Sequence, residues 1–287
     1  MASAALTGSS DAESHACASQ GTPHQAQPDG LRVEPVTSFD QFVAADELYS
    51  RVFGYNARHL GLNANLLGAM VRNGGSAVGV YDGAQLVAFA YGFTGTSATG
   101  RIFHYSQAAV VDPAYQGKGL GRRIKLAQAE VAKGWGHHSM RWTFDPLLAR
   151  NAHFNFSSLR ADGLHYIHDY YGRPGTDRIL VEWDLTGAAD PYEQLRALPA
   201  PDLDEASWGH PVTSSGSLPN GGDAIWVPLP DSAVAGRDAA SYPEIRQRLR
   251  TTLTDLLESR HRLVACQRSL PGTSAYLAVP SPQQESA

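Results

Sequence analysis

The sequence predicts an α/β protein: a mixed sheet with helices on both faces, followed by a small αβ appendage. Three observations predict it. Over residues 31–186, strand-like apolar runs and helical stripes follow one another as strand, helix, helix, three strands, helix, strand, helix and two strands. Asp82-Gly83-Ala84 divides the apolar runs 76–81 and 85–94, the pattern of an antiparallel hairpin in which glycine supplies the positive φ. The short run 108–111 ends in Asp112-Pro113, where proline removes a ladder donor, and passes through a glycine-rich turn into a helix.

Taken in order, residues 1–30 carry almost no large apolar side chain, cannot offset the entropy of ordering, and are expected to be disordered. Residues 31–36 form the first strand. Ser38-x-x-Gln41 is a capping box that opens a helix bearing Phe39, Phe42, Val43, Leu48 and Val52. A second helix or helix pair passes through Leu60, Leu62, Leu66, Leu67, Met70 and Val71 and stops at Asn73-Gly74-Gly75. After the hairpin, a loop over 95–100 leads into the strand 101–111. Beyond the glycine turn, Leu120, Ile124, Ala127, Val131 and Trp135 share one helical face, which ends at Gly134-Trp135-Gly136. A strand over 139–144 is halted by Asp145-Pro146; a helix spans 147–159 with a stop at Gly163; strands at 165–170 and 178–185 complete the set.

Past Gly187, proline, aspartate, serine and glycine dominate as far as residue 223, the composition of a linker or irregular surface. A strand over 225–229, a Ser241-x-x-Glu244 cap with a helix bearing Ile245, Leu249, Leu253 and Leu256, and strands over 263–267 and 275–279 follow. The expected division is therefore a tail (1–30), a main domain (31–186), a linker (187–223) and an appendage (224–287) too short to stand alone.

Composition narrows the function classes. With 43% hydrophobic and 18% charged residues and a formal net charge of -5, the chain is ordinary for a globular protein and disfavours nucleic acid or an anionic membrane as partner. No apolar run approaches the roughly 18 residues of a spanning helix, and the opening residues lack a basic-then-apolar signal, so a cytoplasmic setting is expected. Cys17 and Cys266 build no disulfide framework and have no neighbour at metal-ligand spacing; Cys266 reads as a core residue. His165 and His168 fall on opposite sides of a strand, so no metal is expected, and His137-His138 reads as a surface pair at a helix end.

The turn itself reads Gln116-Gly117-Lys118-Gly119-Leu120-Gly121-Arg122-Arg123. Glycines where a strand feeds a helix N-terminus expose first-turn N–H groups and the positive end of the helix dipole, a setting for an anion such as a pyrophosphate. A P-loop would need Lys-Ser or Lys-Thr where Arg122-Arg123 stands, and the dinucleotide motif would need glycine or alanine at Arg122. What remains, Gln-x-x-Gly-x-Gly behind a strand ending in Val-Asp-Pro, resembles the acyl-CoA motif of the GNAT N-acetyltransferase superfamily. The resemblance covers about 31–186. The stretches 142–152 and 176–183 are similar to one bacterial branch of it.

That resemblance implies acetyl-CoA or another acyl-CoA as co-substrate. It places the pyrophosphate on Gln116, Gly117, Lys118, Gly119, Leu120, Gly121, Arg122 and Arg123, the pantetheine arm along Ala108, Val110 and Val111, and a cofactor contact at Asn151, which otherwise reads as a helix cap. Direct transfer then needs a base, a carbonyl polariser and an acid for the thiolate. His104 and Asp145 are the base candidates, against readings as a sheet histidine and a helix cap; the resemblance implies a second histidine where Ser106 stands. Its usual acid, a tyrosine in the helix after the second central strand, has no counterpart in 155–160, which leaves Tyr166, Tyr170 and Tyr171 downstream. No Gly-x-Ser-x-Gly elbow or nucleophilic cysteine is recognisable. The expectation is an acyl-CoA-dependent N-acyltransferase acting by direct attack on the primary amine of a small, amino-acid-like metabolite. The appendage would pack on the core and shape the acceptor side, and a homodimer is left open. The alternatives are a CoA-binding sensor without turnover, or succinyl transfer, O-acylation or decarboxylation on the same fold.

Overall fold

In the computed structural model the described residues are 30–54, 61–216, 218, 222–231 and 242–281. The tail expected to be disordered, with Cys17, lies outside them, as do Leu60 and Ser241. The main region follows the expected order: β1 Arg32–Pro35, α1 Phe39–Phe53, α2 Ala64–Arg72, β2 Gly75–Asp82, β3 Gln85–Thr96, β4 Ile102–Val111, α3 Leu120–Gly134, β5 Ser139–Phe144, α4 Ala149–His153, β6 Asp162–Ile167 and β7 Arg178–Asp184. Then come α5 Glu193–Arg196, β8 Val212–Ser214, β9 Ala224–Pro230, α6 Tyr242–Glu258, β10 His261–Arg268 and β11 Thr273–Pro280.

Among the described residues, all the strands join one 11-stranded sheet in the order β1-β2-β3-β4-β5-β7-β6-β10-β11-β9-β8. Only β4 and β5 run parallel; the other neighbours are antiparallel. The Ser38 capping box forms as read, Oγ accepting from the Gln41 N–H at 3.3 Å while Gln41 Oε1 accepts from the Ser38 N–H at 3.0 Å. Phe42 and Leu48 of α1 and Leu67 of α2 pack with Phe89 and Val110, whereas Leu120 and Ile124 of α3 pack with Val80, Ala88 and Ala90 in a separate cluster. Helices thus cover both faces of the strands that lead to the glycine turn.

Four local features depart from the sequence reading. The helix expected over 147–159 is one α-helical turn, α4, followed by a π-helical turn, Phe154–Ser158, in which the Leu159 N–H bonds the Phe154 carbonyl five residues back. This wider turn carries Asn155 inward, where its Oδ1 accepts from Trp142 Nε1 at 3.1 Å. Gly163 is a residue of β6 and not a helix stop: a Cβ there would lie 2.8 Å from Leu263 Cβ, so its absence lets β10 pair alongside. The buried face of α3 includes Lys125 and Gln128, while Ala127 and Val131 are half-buried and Trp135 is exposed. His137 is buried, its ring 5.9 Å from that of His104, so it is no surface residue.

Within the expected appendage 224–287, β9, β10 and β11 continue the sheet through the β6–β10 pair, and the Ile245, Leu249 and Leu253 stripe of α6 shares one core with Phe144, Phe156 and Tyr166. Within 187–223, expected to be irregular, α5 is anchored by Arg196. Its buried guanidinium donates to the Ala161 carbonyl at 3.1 Å and the Val264 carbonyl at 2.7 Å, and pairs with Asp190. Composition hid this because the segment's anchors, a buried cation and the scattered apolar residues Tyr192, Leu203 and Leu218, follow no regular stripe.

Candidate functional site

Two features of β4 open a cleft. Its register with β3 slips between Tyr91–Ala108 and Gly92–Ser106, so Gln107 bulges. Its parallel pairing with β5 is confined to His104–Met140 and Tyr105–Arg141. Beyond those two pairs the strands part, and the β5-facing edge of β4 from Ser106 onward has no strand partner among the described residues. A cleft of about 690 Å³ fills the gap, with Ser106, Gln107, Ala108, Ala109 and Val111 on one wall and Trp142, Thr143, Phe144 and Asp145 on the other.

The glycine turn closes one end. Asp112 Oδ1 accepts from the Ala114 N–H at 3.0 Å and its Oδ2 from Arg51 at 2.9 Å, which fixes the exit from β4. Gly117 and Gly119 hold φ of 79° and 77°, the left-handed region that only glycine enters at little cost. Gly119 is the N-cap of α3 and offers no side-chain cap; the Arg123 N–H is the first to bond back, to the Gly119 carbonyl. The helix itself therefore gives no partner to the N–H groups of Leu120, Gly121 and Arg122. These sit at the positive end of a 15-residue helix, a ready anion cradle.

The side chains around the cradle are more committed than expected. Arg123 donates to the Leu31 carbonyl at 2.6 Å and so braces the N-terminal strand. Arg122 Nε reaches the Ser158 carbonyl at 3.4 Å, Gln116 folds back to the Val111 carbonyl at 3.4 Å, and Lys118 lies 4.8 Å over the Tyr115 ring. The side chains of Leu120 and Val110 are buried in the core, which leaves only their backbone groups for a ligand.

Of the residues singled out for chemistry, Asp145 and Asn151 line the cleft, together with Ala108, Val111 and Gly121. Asp145 Oδ1 accepts from the Leu147 N–H at 2.9 Å, and its carboxylate lies 3.9 Å from both Arg178 and Arg246. Asn151 is not a cap, since α4 starts at Ala149 with Leu148 at its N-cap. Tyr170 meets the wall indirectly: its hydroxyl is 2.7 Å from that of Tyr105, which is 3.5 Å from Thr143 Oγ1. Tyr171 and Arg173 line the mouth, and Arg178 stacks 5.2 Å from the Tyr171 ring.

His104 and Tyr166 stand apart from the cleft. Tyr166 is a core residue whose hydroxyl donates to Asp177 at 2.8 Å, and Asp177 is paired in turn with Arg250 of α6. His104 is fully buried, 3.0 Å from Ser76 Oγ, with no partner for Nδ1 among the described residues. Burial first, then His137 and Lys125, pushes its pKa down to about 3, which keeps the ring neutral.

Between His104 and the cleft lies a polar chain that the sequence reading missed. Lys125 Nζ donates to Ser106 Oγ at 2.7 Å; Ser106 donates to Gln128 Oε1 at 2.7 Å; Gln128 Nε2 donates to Ser76 Oγ at 3.3 Å. Lys125 and Ser106 are its cleft-lining end. The available signal was the spacing of Lys125 and Gln128, three apart on one flank of the helix stripe.

Comparison with known proteins bears on this geometry. Residues 42–154 match the model of the Acetyltransferase (GNAT) family. No curated protein matches the chain. Among solved structures, the chain is similar to the ribosomal-protein-S18-alanine N-acetyltransferase from Escherichia coli, at 16% identity over 56% of this chain and 97% of that one, TM-score 0.44. It is similar also to the IAA acetyltransferase from Bacillus cereus, at 14% identity over 54% of this chain and 99% of that one, TM-score 0.41. An aminoglycoside acetyltransferase from an uncultured soil metagenomic sample aligns at 15% identity over 46% of this chain and 88% of that one, TM-score 0.41.

Proposed function

We propose that this chain, whose residues 42–154 are an acetyltransferase (GNAT) domain, transfers an acyl group from acyl-CoA to the primary amine of a small metabolite. Acetyl-CoA is the default donor. The observation that carries the reading is the parting of β4 from β5 immediately before the glycine turn. It sets a free strand edge, suited to the amides of a pantetheine arm, next to an anion cradle suited to a diphosphate.

In this reading the N–H groups of Leu120, Gly121 and Arg122 hold the diphosphate, and the β4 edge at Ser106–Ala109 holds the arm. The acyl carbon then lies between those residues and Trp142–Asp145, where the acceptor nitrogen attacks directly. Asp145, which lines the cleft, and the Tyr105–Tyr170 hydroxyl pair, which meets the lining residue Thr143 through Tyr105, are the candidates to handle the acceptor's proton. His104 lies too deep to serve except through Ser76, Gln128 and Ser106. Arg173 and Arg178 at the rim support an acceptor bearing a carboxylate, as an amino-acid-like amine does. Helix α6 shapes this rim: Arg246 approaches Asp145, and Arg250 ties Asp169 and Asp177, which bracket Tyr170, Tyr171 and Arg173. Among the described residues no helix is long and apolar enough to cross a membrane.

The test is thiol release from acetyl-CoA and succinyl-CoA against a panel of amines and amino acids, alongside calorimetry with CoA. Release that depends on one amine class supports transfer. Tight CoA uptake with no release from any amine would favour a sensor and overturn the catalytic reading.

A further inference from the structure

Acyl transfer to an amine ends with a thiolate leaving in an enclosed cleft, and a proton must reach it there. We propose that Lys125 is the acid that protonates the departing sulfur, an assignment that rests on the acyl-transfer reading above. Lys125 lines the cleft while being only 3% exposed, and its Nζ is held between Ser106 Oγ at 2.7 Å and the Trp142 ring at 3.8 Å. Ser106 precedes the bulge of β4, and Trp142 is the first β5 residue beyond the last β4–β5 pair, so the ammonium stands where the strands begin to part.

Among the described residues Lys125 forms no ion pair, although a buried cation ordinarily demands one. Among the described residues its Nζ donates to one hydroxyl and faces one ring, so an ammonium with three N–H groups keeps donor capacity in hand. The groups packed around it add no opposing charge: Ser106 on β4, Trp142 on β5, which is bonded to Asn155 of the π-helical turn, Gln128 on its own helix, and His104, which is neutral. Burial alone lowers its pKa to about 7, so the group can both hold and surrender a proton near neutrality.

The choice of cation points the same way. The chain has 23 lysines and arginines, and only Lys118, Lys125 and Lys133 are lysines. Arginine, which the chain uses nearly everywhere else, cannot give up its proton; lysine can.

The step balances as follows. The acceptor nitrogen, entering as a neutral amine, forms the new C–N bond; the C–S bond breaks; sulfur takes the Lys125 proton and leaves as the thiol. The amide nitrogen sheds its extra proton to water at the mouth, and Lys125 regains one from solvent.

The experiment uses the full chain with acetyl-CoA and the amine that gives most release. In Lys125→Met, kcat falls by about 100-fold or more, CoA affinity by calorimetry stays within about threefold of the parent, a margin of under 0.7 kcal/mol, and the alkaline decline of kcat expected of the parent near pH 7 is gone. Lys125→Arg, which keeps the charge but has no proton to give up near neutrality, is as slow as Lys125→Met. A Lys125→Met variant that keeps its kcat rejects the proposal, and so does a Lys125→Arg variant that restores it, because fixed charge would then suffice. Should Lys125→Met not fold, NMR of the parent labelled with ¹³C at lysine Cε decides: three signals are expected, one titrating near pH 7 and moving on CoA addition, and three that all titrate in the usual lysine range reject the assignment. If the parent binds CoA but turns over no amine, the acyl-transfer reading fails and this assignment with it; parent turnover that survives Lys125→Met rejects the assignment alone.

Discussion

Replacing Gly121 with alanine separates ligand binding from folding, because the two respond with opposite sign. Gly121 is the second residue of α3, and its φ is not positive. A Cβ built there meets only the Phe154 ring, at 3.5 Å, an ordinary van der Waals contact. Folding therefore gains nothing from glycine at this position. Removing the extra backbone freedom stabilises the helix by about 0.5–1 kcal/mol, roughly 1–4 °C in Tm for a chain of this size. Gly117 and Gly119 differ, since their positive φ would strain any other residue. If the first-turn amides hold a diphosphate, however, a methyl group at 121 stands in its way. The loss of one charge-assisted hydrogen bond is worth about 1.5–3 kcal/mol, or about 10- to 150-fold in affinity. Thermal unfolding and calorimetric titration with CoA on the same preparation measure both terms. A Gly121→Ala protein with raised Tm and unchanged CoA affinity would refute the cradle.

Three further outcomes follow from the packing. Arg250→Met leaves the fully buried Asp177 carboxylate without its cation and should cost about 3–5 kcal/mol in urea denaturation, with faster amide exchange over 169–177. Burial would raise the Asp177 carboxyl, but Arg250, the Asp169 N–H and Tyr166 together hold it below the usual range, so the parent keeps this stability above about pH 4 and loses it on acidification. His104 has the same direction for a different reason. Its folded value of about 3 lies below the unfolded one near 6.5, so the unfolded chain takes up the proton first as pH falls. Stability is full above pH 6.5 and declines toward pH 3, by about 2 kcal/mol between pH 7 and 5; His104→Gln should flatten that slope, and an unchanged slope would show that the ring is not held neutral. Gly163→Ala would set a Cβ 2.8 Å from Leu263 Cβ at the β6–β10 seam. Overpacking of this kind costs about 1–3 kcal/mol, read as a lower urea midpoint, and a neutral outcome would mean that the seam yields freely.

The order of elements through β7 was readable because it is written in local chemistry: the Ser38 box, the Gly83-Ala84 turn, and the proline and glycines that switch β4 into α3. Long-range closure was not. Nothing near Gly163 announces that Leu263 will lie against it, where the missing Cβ makes room for the sheet to continue into the C-terminal strands. Lys125 and Gln128 escaped because a charged or amide side chain in a helix is ordinarily solvated; here they meet Ser106 and Ser76 from strands that are remote in sequence. The same holds for Arg196, whose carbonyl partners come from distant segments. His104 was found as a strand residue, and its depth became visible only with His137 and Trp135 packed over it.

Whether the α3 amides and the open edge of β4 receive an acyl-CoA is decided most directly by a crystal of the full chain soaked with acetyl-CoA. Density for the diphosphate on the N–H groups of Leu120, Gly121 and Arg122, with the thioester between Ser106–Ala109 and Trp142–Asp145, is the predicted result. A diphosphate seated anywhere else, or an empty cleft at saturating donor, would contradict it.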